Sequence, residues 1–158
     1  MSKSLVGWLW VAGQAVLLGA LVLWPGSDAW PRPTGLLAVA GVLFFAGLAL
    51  IAVSAFGLGS ALTPTPVPTS GGRLTTSGLY RLVRHPIYTG VLATVAGITL
   101  RSGNWVHVAI AIATYLFFDR KAAWEEQQLR EAYPDYDDYA ARTPKFIPGT
   151  GGKRSGVG

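Results

Sequence analysis

Two long stretches of the chain are almost free of polarity. Residues 5–24 run for 20 positions with Gln14 as the one strongly polar member, and residues 36–58 run for 23 with Ser54 as the only hydroxyl and no charge. As helices, both reach across the roughly 30 Å of a bilayer's hydrocarbon. Trp8, Trp10 and Trp24 sit where interface anchors belong, and the first run is longer than a usual signal-peptide core, so an uncleaved helix is expected. Ser27-Asp-Ala29 is nevertheless a tolerable cleavage site. Pro25, Gly26, Pro31 and Pro33 mark a turn between the runs. Gly35, Gly41 and Gly47 recur at six-residue steps, which form no single packing ridge, and simple tolerance of glycine in lipid is the expected reason.

Two shorter apolar runs, 87–100 and 105–118, flank Arg101-Ser-Gly-Asn104 and predict a helical hairpin. Its first helix extends back to Pro86 and stays short or tilted, with its start near the membrane surface. Its second extends to Trp124, and the helical pattern continues through polar residues from Asp119 until Pro134. His107 falls within it, as a satisfied or interface-facing histidine rather than a proton relay. Trp124, Leu129, Tyr133, Tyr136 and Tyr139 are expected along the headgroup boundary. Thr63-Pro-Thr-Pro-Val-Pro-Thr69, with alternate prolines, is expected to be extended, and residues 149–158, rich in glycine, to be disordered. The pattern as a whole predicts an all-α fold: an integral membrane bundle of about four transmembrane helices with a cytoplasmic C-terminal helical segment.

Composition agrees: 51% of the 158 residues are apolar and 13% charged, with a mean hydropathy of +0.39. The net charge of +5 is informative through its placement. With four crossings, eleven cations (Lys3, Arg73, Arg81, Arg84, Arg120, Lys121, Arg130, Arg142, Lys145, Lys153 and Arg154) share one side, and only Arg32 and Arg101 lie on the other. That split places both termini in the cytoplasm. Nucleic-acid binding is not indicated, since no soluble basic domain is visible. The absence of cysteine excludes disulfides, thiolate nucleophiles and Cys-based metal sites. His85 and His107 have no ligand spacing, so no metal site is expected.

The candidate chemistry lies in Gly78-Leu-Tyr-Arg-Leu-Val-Arg-His-Pro-Ile-Tyr-Thr-Gly90. Pro86 suits a helix's first position, where its missing N–H costs nothing. Arg84 and His85 then stand before the positive end of the dipole, an arrangement suited to an anion. Tyr80 and Tyr88 add aromatic faces with hydroxyls, and Gly78 and Gly90 permit close backbone approach. Read alone, Arg81 and Arg84 serve equally well as interfacial anchors. On the same side of the membrane lie Glu125 and Glu126, of which one is expected to face the bundle, because helical neighbours point about 100° apart. Asp135, Asp137 and Asp138 read as a solvated face. If the glutamates fold over Arg84-His85-Pro86, one pocket offers cations and N–H groups for a carboxylate, and carboxylates and aromatic faces for an ammonium or sulfonium. Such a pocket fits a zwitterion, with the amino-acid end of a methionine derivative the obvious candidate.

Arg84-His-Pro-Ile-Tyr-Thr-Gly90 followed by Glu125-Glu-Gln-Gln-Leu129 resembles the RHPxYxG…EExxL signature of isoprenylcysteine carboxyl methyltransferases, whose general plan the phospholipid methyltransferases share. Tyr136, Tyr139 and Thr143-Pro-Lys-Phe-Ile-Pro148 resemble the family's C-terminal ending. The resemblance covers residues 63–148, a methyltransferase core, while residues 1–62 match only as two membrane helices. It implies an integral-membrane enzyme using S-adenosyl-L-methionine, with acceptors arriving from the bilayer. It implies further that His85, Tyr88 and Gly90 hold the cofactor, with Arg84 beside them and Tyr80 nearby, and that Glu125 and Glu126 engage its positively charged amino-acid end. Arg84 and Glu126 are the catalytic candidates: Arg84 to orient an acidic acceptor, Glu126 or His85 to take a proton from an amine. Four predicted spans are fewer than the eukaryotic prenylcysteine enzymes carry, so a lipid or small apolar acceptor is expected rather than a prenylated protein. Membrane sterol-type reductases, which use NADPH, share an RHPNYxGE-like motif; here Ile87 replaces the Asn and Val91 the acidic residue. A non-enzymatic helical bundle is the remaining alternative.

Overall fold

The computed structural model describes residues 2–59 and 74–149. The expected extended segment 63–69, the tail beyond Gly149, and Arg73, Lys153 and Arg154 lie outside them. Five helices follow in order: α1 (Lys3–Leu23), α2 (Thr34–Leu58), α3 (Pro86–Ser102), α4 (Trp105–Ala132) and α5 (Tyr136–Arg142), with a short 3-10 turn at Gly78–Arg81 before α3. No strand occurs among the described residues. Among the described residues two helices, α1 and α2, are long and apolar enough to cross a membrane. The 17 residues of α3 make it short, as expected, and the 28 of α4 run unbroken from the apolar stretch into the polar one. α4 stops at Ala132, two residues before Pro134.

The helices pack in the spatial order α2, α3, α4, α1. Glycine sets the tightest contact. A Cβ on Gly47 would fall 2.6 Å from the Gly90 carbonyl oxygen, one on Gly90 2.7 Å from that of Gly47, and one on Gly97 2.6 Å from that of Ala40. Two backbones therefore touch along α2 and α3, as small residues allow in membrane helix pairs. This corrects the lipid-tolerance reading for Gly47, whereas Gly35 and Gly41 have open space beside them. α1 lies on α4 through Trp10, whose ring meets Phe117 edge-on at 5.1 Å.

At the α3–α4 turn, Gly103 takes the left-handed conformation (φ 61°) and Asn104 caps α4, its side chain accepting from Val106 N at 2.8 Å. The α1–α2 loop covers this turn. Ser27 N donates to Ser102 O and Ala29 N to Gly103 O, both at 2.9 Å, and Arg32 Nη1 reaches Arg101 O at 3.3 Å. Carbonyls that a helix C-terminus leaves without partners are thereby satisfied.

α5 departs from expectation. Pro134 reverses the chain, α5 folds back onto the 3-10 turn, and Tyr139 Oη donates to Tyr80 O at 2.5 Å. Tyr136 and Tyr139 are consequently core residues, 1% and 7% exposed, and not headgroup anchors. His107 is buried rather than interface-facing, and its Nδ1 has no hydrogen-bond partner among the described residues.

Candidate active site

Pro86 occupies the first position of α3 and His85 its N-cap, as the sequence predicts. The backbone ahead of the helix is held by a segment far along the chain. Arg84 N donates to Pro144 O (2.8 Å), His85 N to Lys145 O (3.1 Å) and Thr89 Oγ1 to Phe146 O (2.8 Å). Residues 144–146 thus form a clip across the histidine-proline corner.

The two patches meet. Glu126, buried in α4, accepts from Arg84 Nε at 3.0 Å and lies 3.0 Å from His85 Nε2, both through Oε1. Its Oε2 lies 3.8 Å from Arg130 Nη2. Burial pushes the Glu126 carboxyl up, but the hydrogen bond and charge of His85, followed by those of Arg84, outweigh it and hold the group at about 2. An ionised carboxylate only accepts, so the proton of that bond sits on His85 Nε2. Glu125 Oε2 accepts from Tyr88 Oη at 2.8 Å and lies 3.7 Å from His85 Nδ1. The His85 and Tyr88 rings stack with 5.2 Å between centroids and 3° between planes. Both glutamates therefore face the corner, where one was expected: the imidazole presents a nitrogen to each and bridges the angle between helical neighbours.

Arg84 is turned inward. Besides Glu126, its Nη1 donates to Ala140 O (2.8 Å) and Thr143 O (2.5 Å), tying α5 and the clip to α3. Its Nε and Nη1 are thus committed within the protein, which corrects the picture of Arg84 as the open cation of an anion site. Tyr80 is buried behind the corner. Burial raises the hydroxyls of Tyr80, Tyr136 and Tyr139, the last to about 12, and keeps all three neutral at physiological pH. Gly90 lies against α2, and helix packing is the reason the structure gives for it.

Lys121 and Gln14, far apart along the chain, complete the surroundings. Lys121 of α4, 4% exposed, donates to Gln14 Oε1 of α1 at 2.6 Å and lies 5.2 Å from the Tyr88 ring centroid. Beyond Tyr139, an open cleft of about 420 Å³ is lined by Leu74, Thr76, Tyr133, Pro134, Asp135, Tyr139 and Arg142. No group of three or more His, Cys, Asp or Glu side chains suited to a metal ion occurs among the described residues.

The chain is a helical bundle with two apolar N-terminal helices and a buried Arg–His–Glu cluster at one end. The model of the phospholipid methyltransferase family matches residues 37–136, and the chain belongs to this family of methyltransferases. Among its relatives, protein-S-isoprenylcysteine O-methyltransferase B of Arabidopsis thaliana is 30% identical over 132 residues, covering 70% of this chain and 67% of the relative. The protein-S-isoprenylcysteine O-methyltransferase of Schizosaccharomyces pombe is 32% identical over 77 residues, covering 48% and 33%. The cobalt-zinc-cadmium resistance protein CzcN of Cupriavidus metallidurans is 36% identical over 76 residues, covering 48% and 35%. The chain thus spans about a third of the length of the last two.

Proposed function

We propose that the chain is an integral-membrane enzyme that transfers a methyl group from S-adenosyl-L-methionine to a lipid or lipophilic small molecule at the cytoplasmic membrane surface. The observation that carries this reading is the convergence of Glu125 and Glu126 on His85, which brings the two resembling motifs into one polar corner at the foot of apolar helices. Four crossings with both termini cytoplasmic fit the cation placement and the reach of α4.

The residues present suit an amino-acid end. Glu125 is the less buried of the two carboxylates and accepts from a neutral tyrosine, so it is the one placed to meet an ammonium. Bound donor supplies an electrophilic methyl on a sulfonium that loses its charge as the methyl leaves. The chain's own work is then alignment and exclusion of water. His85 and Tyr88 offer stacked ring faces for that purpose. Glu126 and Arg84 act as positioning residues: the first holds His85 Nε2, the second locks α5 and the clip against α3. Gly90 sets how closely α2 approaches, and Tyr80 backs the corner. A carboxylate acceptor needs no base; for an amine, His85 is the candidate proton acceptor.

In detergent, the protein is expected to bind S-adenosylhomocysteine in the micromolar range by calorimetry, and His85→Ala or Glu126→Gln to remove the binding. Binding of NADPH instead would indicate a sterol-type reductase, against which Ile87 and Val91 stand. Binding of neither ligand would leave a non-enzymatic bundle. A lipid-extract screen with methyl-labelled donor identifies the acceptor.

A further inference from the structure

Three cations around the corner are paired with carboxylates: Arg84 with Glu126, Arg130 with Asp137 and Lys145 with Asp119. Lys121 differs. It is nearly fully buried, yet its one hydrogen-bond partner is the neutral amide of Gln14, and its other close neighbours are the ring faces of Tyr88 and Phe118, 5.2 and 5.6 Å from Nζ. A buried ammonium ordinarily has a counter-ion in contact; the charge of Glu125 acts on Lys121 without an ion pair between them, which leaves the ammonium poised for an anion from outside the chain. Geometry supplies the rest. Tyr88 carries Glu125 on its hydroxyl and Lys121 against its ring, so opposite charges flank one aromatic side chain.

We infer that Lys121, steadied by Gln14, is the carboxylate-binding group of this site, the role that Arg84 is too committed to fill. The inference rests on the methyltransferase reading and deepens it. The carboxylate has two possible sources. One is the amino-acid end of the methyl donor, whose ammonium would then lie at Glu125. The other is the head of an acidic lipophilic acceptor reaching Lys121 between α1 and α4. A lysine that only struts α1 against α4 is the rival account.

The test uses the whole protein in detergent micelles and reads binding. One arm compares S-adenosylhomocysteine with its decarboxylated analogue; the other compares palmitate with hexadecanol. Wild-type protein is expected to favour the carboxylate at least about tenfold in one arm, as a charged hydrogen bond warrants. Lys121→Met is expected to abolish that preference while Lys121→Arg keeps part of it. Preference in the first arm assigns the carboxylate to the donor, and in the second to the acceptor. If wild type shows no preference in either arm, Lys121 is a strut and the inference is overturned, with no variant needed. It is equally overturned if Lys121→Met loses thermal stability but keeps the preference. Failure of wild type to bind S-adenosylhomocysteine at all would strike the methyltransferase reading instead, and the palmitate arm would still judge Lys121.

Discussion

At one end of the α3–α4 hairpin, the loop from Ser27 to Arg32 meets Arg101, Ser102 and Gly103 through backbone carbonyls. At the other end, Arg84, His85, Glu125 and Glu126 meet through charge, most of it buried. The first fastening spreads over several bonds, each contributing about 1 kcal/mol, and losing one leaves the others in place. The second concentrates on a single carboxylate. Removing it strands the Arg84 guanidinium and the imidazole bonded to it in a site with little water, so a small change there has a large effect. Concentrated, poorly hydrated charge is what a site for a charged ligand requires, and a turn that only has to stay closed does without it.

Substitutions at the two ends should diverge accordingly. The largest effect is expected for Glu126→Ala, which leaves Arg84 without its counter-ion and His85 Nε2 without its partner: about 3–5 kcal/mol of stability by chemical denaturation in micelles, with loss of S-adenosylhomocysteine binding. A variant with near wild-type stability would show that the charged end is no more concentrated than the neutral one. Acid should act next. The Glu126 carboxyl is held at about 2, below the 4.5 of an unperturbed group. Its stabilisation, about 3 kcal/mol, is therefore complete above about pH 4.5 and decays as pH falls toward 2. Hydrogen exchange is expected to show the Arg84 and His85 amides losing protection over that window, while those of Ser27 and Ala29 keep theirs. Arg84→Lys retains the charge but not the fork that serves Glu126, Ala140 and Thr143 together, and about 2 kcal/mol is expected to be lost in a melting series. Smallest is Asn104→Ala, which removes the α4 cap for about 1 kcal/mol and leaves ligand affinity unchanged by calorimetry. A change in affinity there would mean that the two ends are coupled through α4.

Much of the fold was legible in the sequence because local chemistry decides it. Pro86 opens α3, Gly103 and Asn104 divide the hairpin, Pro134 follows the end of α4, and the long apolar runs are helices at nearly the expected bounds. The meeting of the two polar patches was also expected, on the reading of four crossings that sets them on one side. What stayed hidden depends on how helices distant in sequence are rotated against each other. Gly47 differs from Gly41 only because it faces Gly90, and that register is written on α3 as much as on α2. Lys121 finds Gln14 only once α1 lies on α4. Arg84 looked available because the carbonyls of Ala140 and Thr143 that occupy it belong to a stretch whose fold-back spacing does not reveal. Tyr136 and Tyr139 misled for the same reason: tyrosine suits both a headgroup boundary and a core, and only the fold-back of α5 chooses.

The clip of residues 144–146 has a consequence for how the protein is made. Arg84 and His85 need backbone partners that are synthesised about sixty residues later, a delay of about 3–12 s at ordinary translation rates. Until those partners emerge, the amides of the corner have only water or lipid headgroups to bond. The two apolar helices at the front of the chain have time to form first, so the polar corner is assembled last, on a scaffold already in place.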